Sequence, residues 1–318
     1  MMQSYIIKRL LWIIPIMLGA VTVIFLIMNV LPGDVAMVIL GEEGASVSPE
    51  KLEVLRQDLG LNRPLYEQYF SWMGGLLHGD LGTSLWTGLP VTTMIAVRLP
   101  YSLTLVAMAV LISIIIAIPV GVIAALKQDS WVDYLLRVFA IAGLSMPSFW
   151  FAILILLFVV SLFKWFPPLA YAPIYEDPFV ALQQLFLPAI AIGYRQAAVS
   201  ARMMRSSMLE VLREDYIRTA WAKGLRERTV IYLHALKNAG LPVITIFGVE
   251  IAVLFSSQVI IEGLFNIPGI GGMLVEAILH RDIPLAEGTV LFIVVFVMLV
   301  NLMIDIIYSW VDPRVTYK

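Results

Sequence analysis

Arg195, Glu250 and Asp305 are ionisable side chains set within otherwise apolar stretches of this sequence. A charge at membrane depth is costly, so it faces a cavity or a partner. Arg195 and Glu250 sit near the middle of their stretches and carry opposite signs. Either they form a structural ion pair, or they line a polar cavity or pathway. Gln196 and Gln258 are lesser polar candidates for that path, with Asn29 and Asn301 beside them, while Asp305 can also snorkel. Other chemistry is hard to build. The chain has no cysteine, which excludes disulfides, thiolate metal sites and cysteine nucleophiles. His78, His234 and His280 are far apart and show no metal-ligand spacing. Ser145 and Ser161 lie in or near an apolar stretch with no histidine, so an intramembrane hydrolase lacks the base for either nucleophile. There is no Gly-x-x-x-x-Gly-Lys-Ser/Thr, and Gly269-Ile270-Gly271-Gly272 follows no expected strand, so neither provides a phosphate cradle. No cofactor or metal is expected in the chain.

The elements that would position these residues are set by composition. Of 318 residues, 60% are hydrophobic and only 14% charged. A soluble domain of this length needs more polar surface, so the excess apolar residues must face lipid. A spanning helix takes roughly 20 mostly apolar residues. Such stretches run over 10–31, 103–126, 135–163, 185–204, 240–261 and 289–310. They are long and continuously apolar, which favours helices over the short alternating strands of a barrel. Pro119, Gly121, Gly143 and Pro147 mark kinks within them. Lys8 and Arg9 precede the first stretch as in a signal peptide. That run is too long, however, and no small-residue cleavage site ends it before Pro32-Gly33-Asp34, so an uncleaved helix is expected.

Lys and Arg gather on alternate connections. Lys8, Arg9, Lys127, Arg137, Arg314 and Lys318 would share one side with Arg202, Arg205, Arg213, Arg218, Lys223, Arg226, Arg228 and Lys237. The other side carries mainly acids, among them Asp34, Glu42, Glu43, Glu50, Glu53, Asp58, Asp80, Glu176, Asp282 and Glu287. By the positive-inside rule both termini are expected in the cytoplasm.

Two connections are long enough to fold. In the outer one, Ser48 and Pro49 open a helix that Gly60 stops; a second amphipathic helix carries Leu65, Tyr69, Trp72 and Leu76 and stops at Gly79. This subdomain packs as a lid, docks an extracytoplasmic partner, or does both. The inner connection, 206–238, places Leu209, Leu212, Tyr216, Ile217 and Ala220 on one helical stripe. Gly224 then interrupts at a left-handed turn, and a second helix begins at Arg226 with Val230, Leu233 and Leu236 on one face. Such a basic helix pair either rests on anionic lipid or is presented to a cytoplasmic protein.

This inner segment resembles the cytoplasmic signature loop of ABC-importer permeases: a Glu-Ala-Ala triplet, a glycine, then Ile-x-Leu-Pro. Arg218-Thr219-Ala220 stands for the triplet, Gly224 for the glycine, and His234-Ala235-Leu236-Lys237 for the close, so the glutamate is an arginine and the proline a lysine. Asp215-Tyr216-Ile217-Arg218-Thr219-Ala220, with Ala222-Lys223-Gly224-Leu225 after it, is similar to the variant in dipeptide, oligopeptide, glutathione and nickel permeases. The resemblance covers nearly the whole chain. It includes Leu31-Pro32-Gly33-Asp34, Leu59-Gly60-Leu61-Asn62-Arg63-Pro64-Leu65, Gly79-Asp80-Leu81-Gly82-Thr83-Ser84, Arg98-Leu99-Pro100, Glu262-Gly263-Leu264-Phe265-Asn266-Ile267-Pro268-Gly269-Ile270-Gly271 and Asp312-Pro313-Arg314. It points to the first of two homologous permeases, the one with the large outer loop.

The resemblance implies an all-α fold: a polytopic bundle of six transmembrane helices with a small extracytoplasmic subdomain and a cytoplasmic coupling helix. The expected parts are a first helix over 1–31, an outer subdomain over 32–100, and a five-helix core over 101–318 that contains the coupling loop. It also implies a bacterial inner-membrane setting, a second permease, two ATPase subunits holding ATP and Mg, and an extracytoplasmic binding protein, with membrane lipid around the bundle and no nucleic acid. Coupling to the ATPase would fall to Asp215, Tyr216, Arg218, Thr219, Ala220, Lys223, Gly224, Leu225 and Arg226, with Tyr216, Ala220 and Leu225 filling the ATPase groove. Docking of the binding protein would fall to Asp80, Glu262, Asn266, Pro268 and Gly269. Peptides are the first expectation for substrate, with nickel chelates, glutathione and small glycosides behind them. An ion-driven secondary transporter is the rival, but no internal repeat supports it and it gives the basic inner loop no role.

Overall fold

The computed structural model describes residues 2–30, 35–41, 48–58, 60–168 and 170–311, without the side chains of 2–10, 35, 38, 41, 256–257 and 307–311. Leu31-Pro32-Gly33-Asp34, Glu42, Glu43, Leu59, Asp312-Pro313-Arg314 and Lys318 therefore lie outside the described residues, as do the side chains of Lys8 and Arg9. In chain order the helices are α1 Met2–Val30, α2 Val35–Gly41, α3 Pro49–Asp58, α4 Leu65–Leu77, α5 Val91–Leu126, α6 Trp131–Ser145 and α7 Ser148–Phe163. There follow α8 Pro178–Val211, α9 Asp215–Ala222, α10 Glu227–Thr229, a π-helical stretch Val230–Ala235, α11 Leu236–Ser257, α12 Val259–Phe265, α13 Ile270–Leu279 and α14 Ile283–Val311. Among the described residues four helical segments are long and apolar enough to cross a membrane, or up to six if each of two bent helix pairs is one span.

The chain divides into two compact units, Met1–Ser102 with Pro268–Leu299, and Leu103–Ile267 with Val300–Lys318. The first unit holds the outer subdomain and also takes in 268–299, which the sequence reading assigned to the core. Its helices stop where glycines take positive φ, +68° at Gly60 after α3 and +78° at Gly79 after α4. Tyr69 of α4 packs edge-on against Phe25 of α1 and shares a hydrogen bond of 2.7 Å with Thr22. The 80–90 turn is tied down by the buried Asp282. Its carboxylate accepts from Ser84 Oγ at 2.5 Å and from Trp86 N–H at 3.2 Å, and also caps α14 through Leu285 N–H. Trp86 stacks on His280, and Arg98 pairs with Glu276 at 2.6 Å.

The second unit is organised around α8, which packs against α6, α7, α11 and α12. Its buried face is largely small residues, including Ala189, Ala197, Ala198 and Ala201. Small residues let helices approach closely where no hydrophobic force operates between them. A Cβ added at Gly121 of α5 would lie 2.6 Å from Met204 Cβ, and one at Gly193 of α8 would lie 2.7 Å from the Ala109 carbonyl. The same small and polar content leaves α8 outside the helices apolar enough to qualify as spans, although the sequence reading expected a span over 185–204.

The expected third span, 135–163, is not one rod. It breaks at Met146-Pro147 into α6 and α7, bent by 109°. Pro147 holds the preceding residue in the extended region, and Met146 has φ −96°, ψ 130°. Tyr194 of α8 fills the angle between the two arms. Its hydroxyl donates to the Phe139 carbonyl at 2.8 Å, and its ring packs 4.9 Å from those of Phe139 and Phe151.

Candidate functional site

The inner segment begins where α8 ends. Three residues turn the chain, and α9 then starts at Asp215. The single stripe expected over Leu209–Ala220 is thus split between two helices. Within α9 only Ile217 and Ala220 are buried, and both enter a core cluster with Met208, Val230, Ile231, Ala235, Ala239 and residues of α5. Everything else on α9 faces outward: Arg218 and Thr219 as expected, with Lys223 just beyond the helix, and also the aromatic rings of Tyr216 and Trp221. Ala220 therefore packs against its own chain and cannot fill a partner's groove. Arg218 pairs with Asp215 at 3.0 Å on the exposed face. Tyr216 is tethered, since Asn238 Nδ2 of α11 donates to its hydroxyl at 2.8 Å.

Gly224 has φ +74°. Its N–H donates to the Trp221 carbonyl at 2.9 Å, and the Leu225 N–H reaches back to Ala220 at 3.3 Å. This is the Schellman arrangement, which satisfies the last carbonyls of a helix and favours glycine at the left-handed position. A Cβ there would meet nothing within 4 Å, so the conformation alone selects glycine. Arg226 and Arg228 are exposed beyond it. The following helix is continuous into α11, but over Val230–Ala235 the bonding widens, and Leu236 N–H donates to Ile231 five residues back. This π turn explains one departure from the expected face. Val230 is buried and Leu236 half-buried, whereas Leu233 is exposed, because the register advances by an extra residue.

The polar candidates of the pathway separate. Arg195 is exposed and Gln196 buried on α8. Glu250 on α11 is buried and makes no ion pair with Arg195. Instead its carboxylate accepts from Ser200 Oγ at 3.2 and 3.3 Å. Gln258 is buried at the junction of α11 and α12, with neither amide atom hydrogen-bonded.

The expected docking residues are also placed one by one. In the first unit Asp80 is exposed and accepts from Gly82 N–H at 2.8 Å; Pro268 is half-buried, and Gly269 is buried at the start of α13. In the second unit Asn266 is exposed and ends α12 in the left-handed region at φ +53°. Glu262 is fully buried, so its side chain is not the surface contact expected of it; it lies on the inner side of α12. Tyr171 donates to the Phe265 carbonyl at 2.6 Å, and burial pushes its phenol up to about 12, which keeps it a donor.

Sequence reasoning missed the buried Asp133. It accepts from Arg205 Nε at 2.9 Å and Nη2 at 2.8 Å and from Asp129 N–H at 3.0 Å, and Arg137 Nη2 stands 3.3 Å away. The available signal was Ser130 three residues before an acid at the opening of α6. Ser130 caps that helix by accepting from Asp133 N–H.

Known proteins of similar sequence and shape fit this geometry. Residues 117–317 match the model of the family described as binding-protein-dependent transport system inner membrane component, and residues 1–106 match that family's N-terminal membrane component. A Brucella melitensis protein named for a peptide transport system permease is 43% identical over 318 residues, all of both chains. The dipeptide transport system permease protein DppB of Escherichia coli K12 is 37% identical over 340 aligned positions, again covering both chains fully. A chain of the methionine ABC transporter MetNI, solved in inward-facing conformations, superposes with a TM-score of 0.57 at 14% identity. It covers 69% of this chain and 96% of its own, a likeness of fold alone.

Proposed function

The chain belongs to the family of binding-protein-dependent transport system inner membrane components, and from that premise we propose that it forms half of the translocation pathway of an ATP-driven peptide importer. As a family member it is a multi-pass inner-membrane permease, a transport subunit that works with ABC-transporter partners. The finer assembly is a heterodimer with a homologous permease, two cytoplasmic ATPase subunits, and an extracytoplasmic binding protein that delivers the substrate. Peptides are the substrate class, supported by relatives that carry dipeptide and peptide transport names across their full length.

One observation carries the mechanism. The helix α9 is fixed to the bundle on one side by Ile217, Ala220 and the Tyr216–Asn238 bond, and bare on the other, where Tyr216, Trp221 and Leu225 stand among Arg218, Lys223 and Arg226. A short helix that is rigidly docked inward, with aromatic and arginine residues outward, suits insertion into a groove of the ATPase. Closure of the ATPase pair would push on α9, and the push would reach α11 through Asn238 and the π turn. Arg195, exposed on α8, is the charge that would meet solute. Glu250, bonded by Ser200, holds α8 to α11.

The test uses the absence of native cysteine. A cysteine at Thr219 should cross-link to the ATPase subunit in the assembled complex. Gly224→Asp should abolish uptake while the chain still inserts, because a Cβ finds open space and costs only about 1–2 kcal/mol of local strain. Absence of any cross-link along α9, or normal uptake by Gly224→Asp, would overturn the coupling reading.

A further inference from the structure

In the second unit α5, α6 and α8 enclose a slot of about 220 Å³. Its walls are apolar, with Val120, Ala140, Ile141 and Leu144 among them, and its polar lining is Ser206 and three arginines, Arg137, Arg202 and Arg205, with no carboxylate. The three guanidinium groups are not equally engaged. Arg205 is held bidentately by Asp133. Arg137 stands 3.3 Å from the same carboxylate, yet its Nε and Nη2 are enclosed without an aligned hydrogen-bond acceptor. Arg202 is exposed and makes no ion pair among the described residues. Asp133 engages Arg205 and Arg137, which leaves Arg202 available to an anion.

The outer surface of α6 indicates what lies beside the slot. Leu135, Val138 and Ile141 are exposed along it, and Trp131 and Tyr134 are exposed at its N-terminal end. The Arg137 guanidinium lies 4.4 Å from the centre of the Tyr134 ring. Apolar side chains that end in a pair of amphipathic aromatics mark a lipid-facing helix with its rings at headgroup level. The cationic rim is therefore at the depth of phosphate, and the apolar slot opens toward acyl chains. The slot is far too small for a helix about 10–12 Å across, and a soluble phosphate would engage the rim alone.

We propose that this slot binds one anionic phospholipid, with its phosphate diester on Arg137 and Arg202 and the upper part of one acyl chain among Ala140, Ile141 and Leu144. Basic pockets between transmembrane helices recognise such headgroups. The site rests on membrane insertion and not on the identity of the transported solute.

The full importer complex, stripped of lipid and then offered dioleoyl phosphatidylglycerol or dioleoyl phosphatidylcholine, should retain the anionic lipid preferentially in native mass spectrometry. Arg202→Gln should weaken that retention about fivefold, the effect of one basic residue at a membrane surface. Leu144→Trp, which fills the slot, should remove it while the ATPase subunits stay bound. Equal retention of both lipids overturns the proposal, and so does phosphatidylglycerol retention that Arg202→Gln leaves unchanged. If Leu144→Trp fails to assemble, Arg202→Gln decides alone, since that side chain is exposed and supports no packing.

Discussion

Asp133 shows how one carboxylate can hold a bundle together. It is completely buried, it accepts from two nitrogens of Arg205 and one backbone amide, and Arg137 adds a second positive neighbour. Removing one member of a buried pair leaves the other charge uncompensated, a loss of about 3–5 kcal/mol. Asp133→Ala is therefore expected to lower the melting temperature of the solubilised chain sharply, as followed by intrinsic tryptophan fluorescence. Asp215→Ala, which removes an exposed pair on α9, should leave it unchanged because solvent screens that interaction. Equal effects would mean that Asp133 is satisfied by something other than Arg205. At this scale the sequence was a poor guide. Asp133 and Arg205 are 72 positions apart, and nothing in the composition of either neighbourhood pairs them. Arg195 and Glu250 looked like partners because both interrupt apolar runs, yet Glu250 turns to Ser200 on the same helix as Arg195. Hydropathy locates a charge along a span and says nothing about which face of the helix carries it.

Elements were legible wherever a local rule decides them. Pro49 at the first position of α3 and the glycines at positions 60, 79 and 224 have the conformations their types favour, since each stop needs a positive φ that a Cβ opposes. Two features escaped local rules. The 109° break between α6 and α7 was legible only as a kink, because proline marks a break without fixing its angle. The π turn was invisible, since wide bonding is imposed by how Val230, Ile231 and Ala235 must all reach one core. That turn sets the rotation between α9 and α11. Deleting Tyr232, an exposed residue inside it, should restore α-helical bonding and turn the flanking faces by about 100° relative to each other. The variant is expected to insert and assemble with the proposed second permease while the complex loses substrate-stimulated ATP hydrolysis. Wild-type stimulation would show that α9 does not need its present angle to α11.

For the whole molecule, charge placement governs more than any contact. The stretch from Arg202 to Lys237 holds eight lysine and arginine residues, whereas the turn at 80–90 holds one charge, Asp80. Basic segments resist translocation, so the two segments are expected on opposite sides of the bilayer, with α9 in the cytoplasm. The native chain contains no cysteine, so each position can be queried alone. Thr87 and Thr219 are both exposed, one beyond α4 and one on α9, and neither side chain belongs to a buried network. In intact cells whose outer barrier has been permeabilised, a membrane-impermeant maleimide should label Thr87→Cys and spare Thr219→Cys. In inverted membrane vesicles the pattern should reverse. Labelling of Thr219→Cys from outside would place the exposed aromatic and basic face of α9 away from any ATPase, and no rearrangement within the bundle could then let ATP drive this permease.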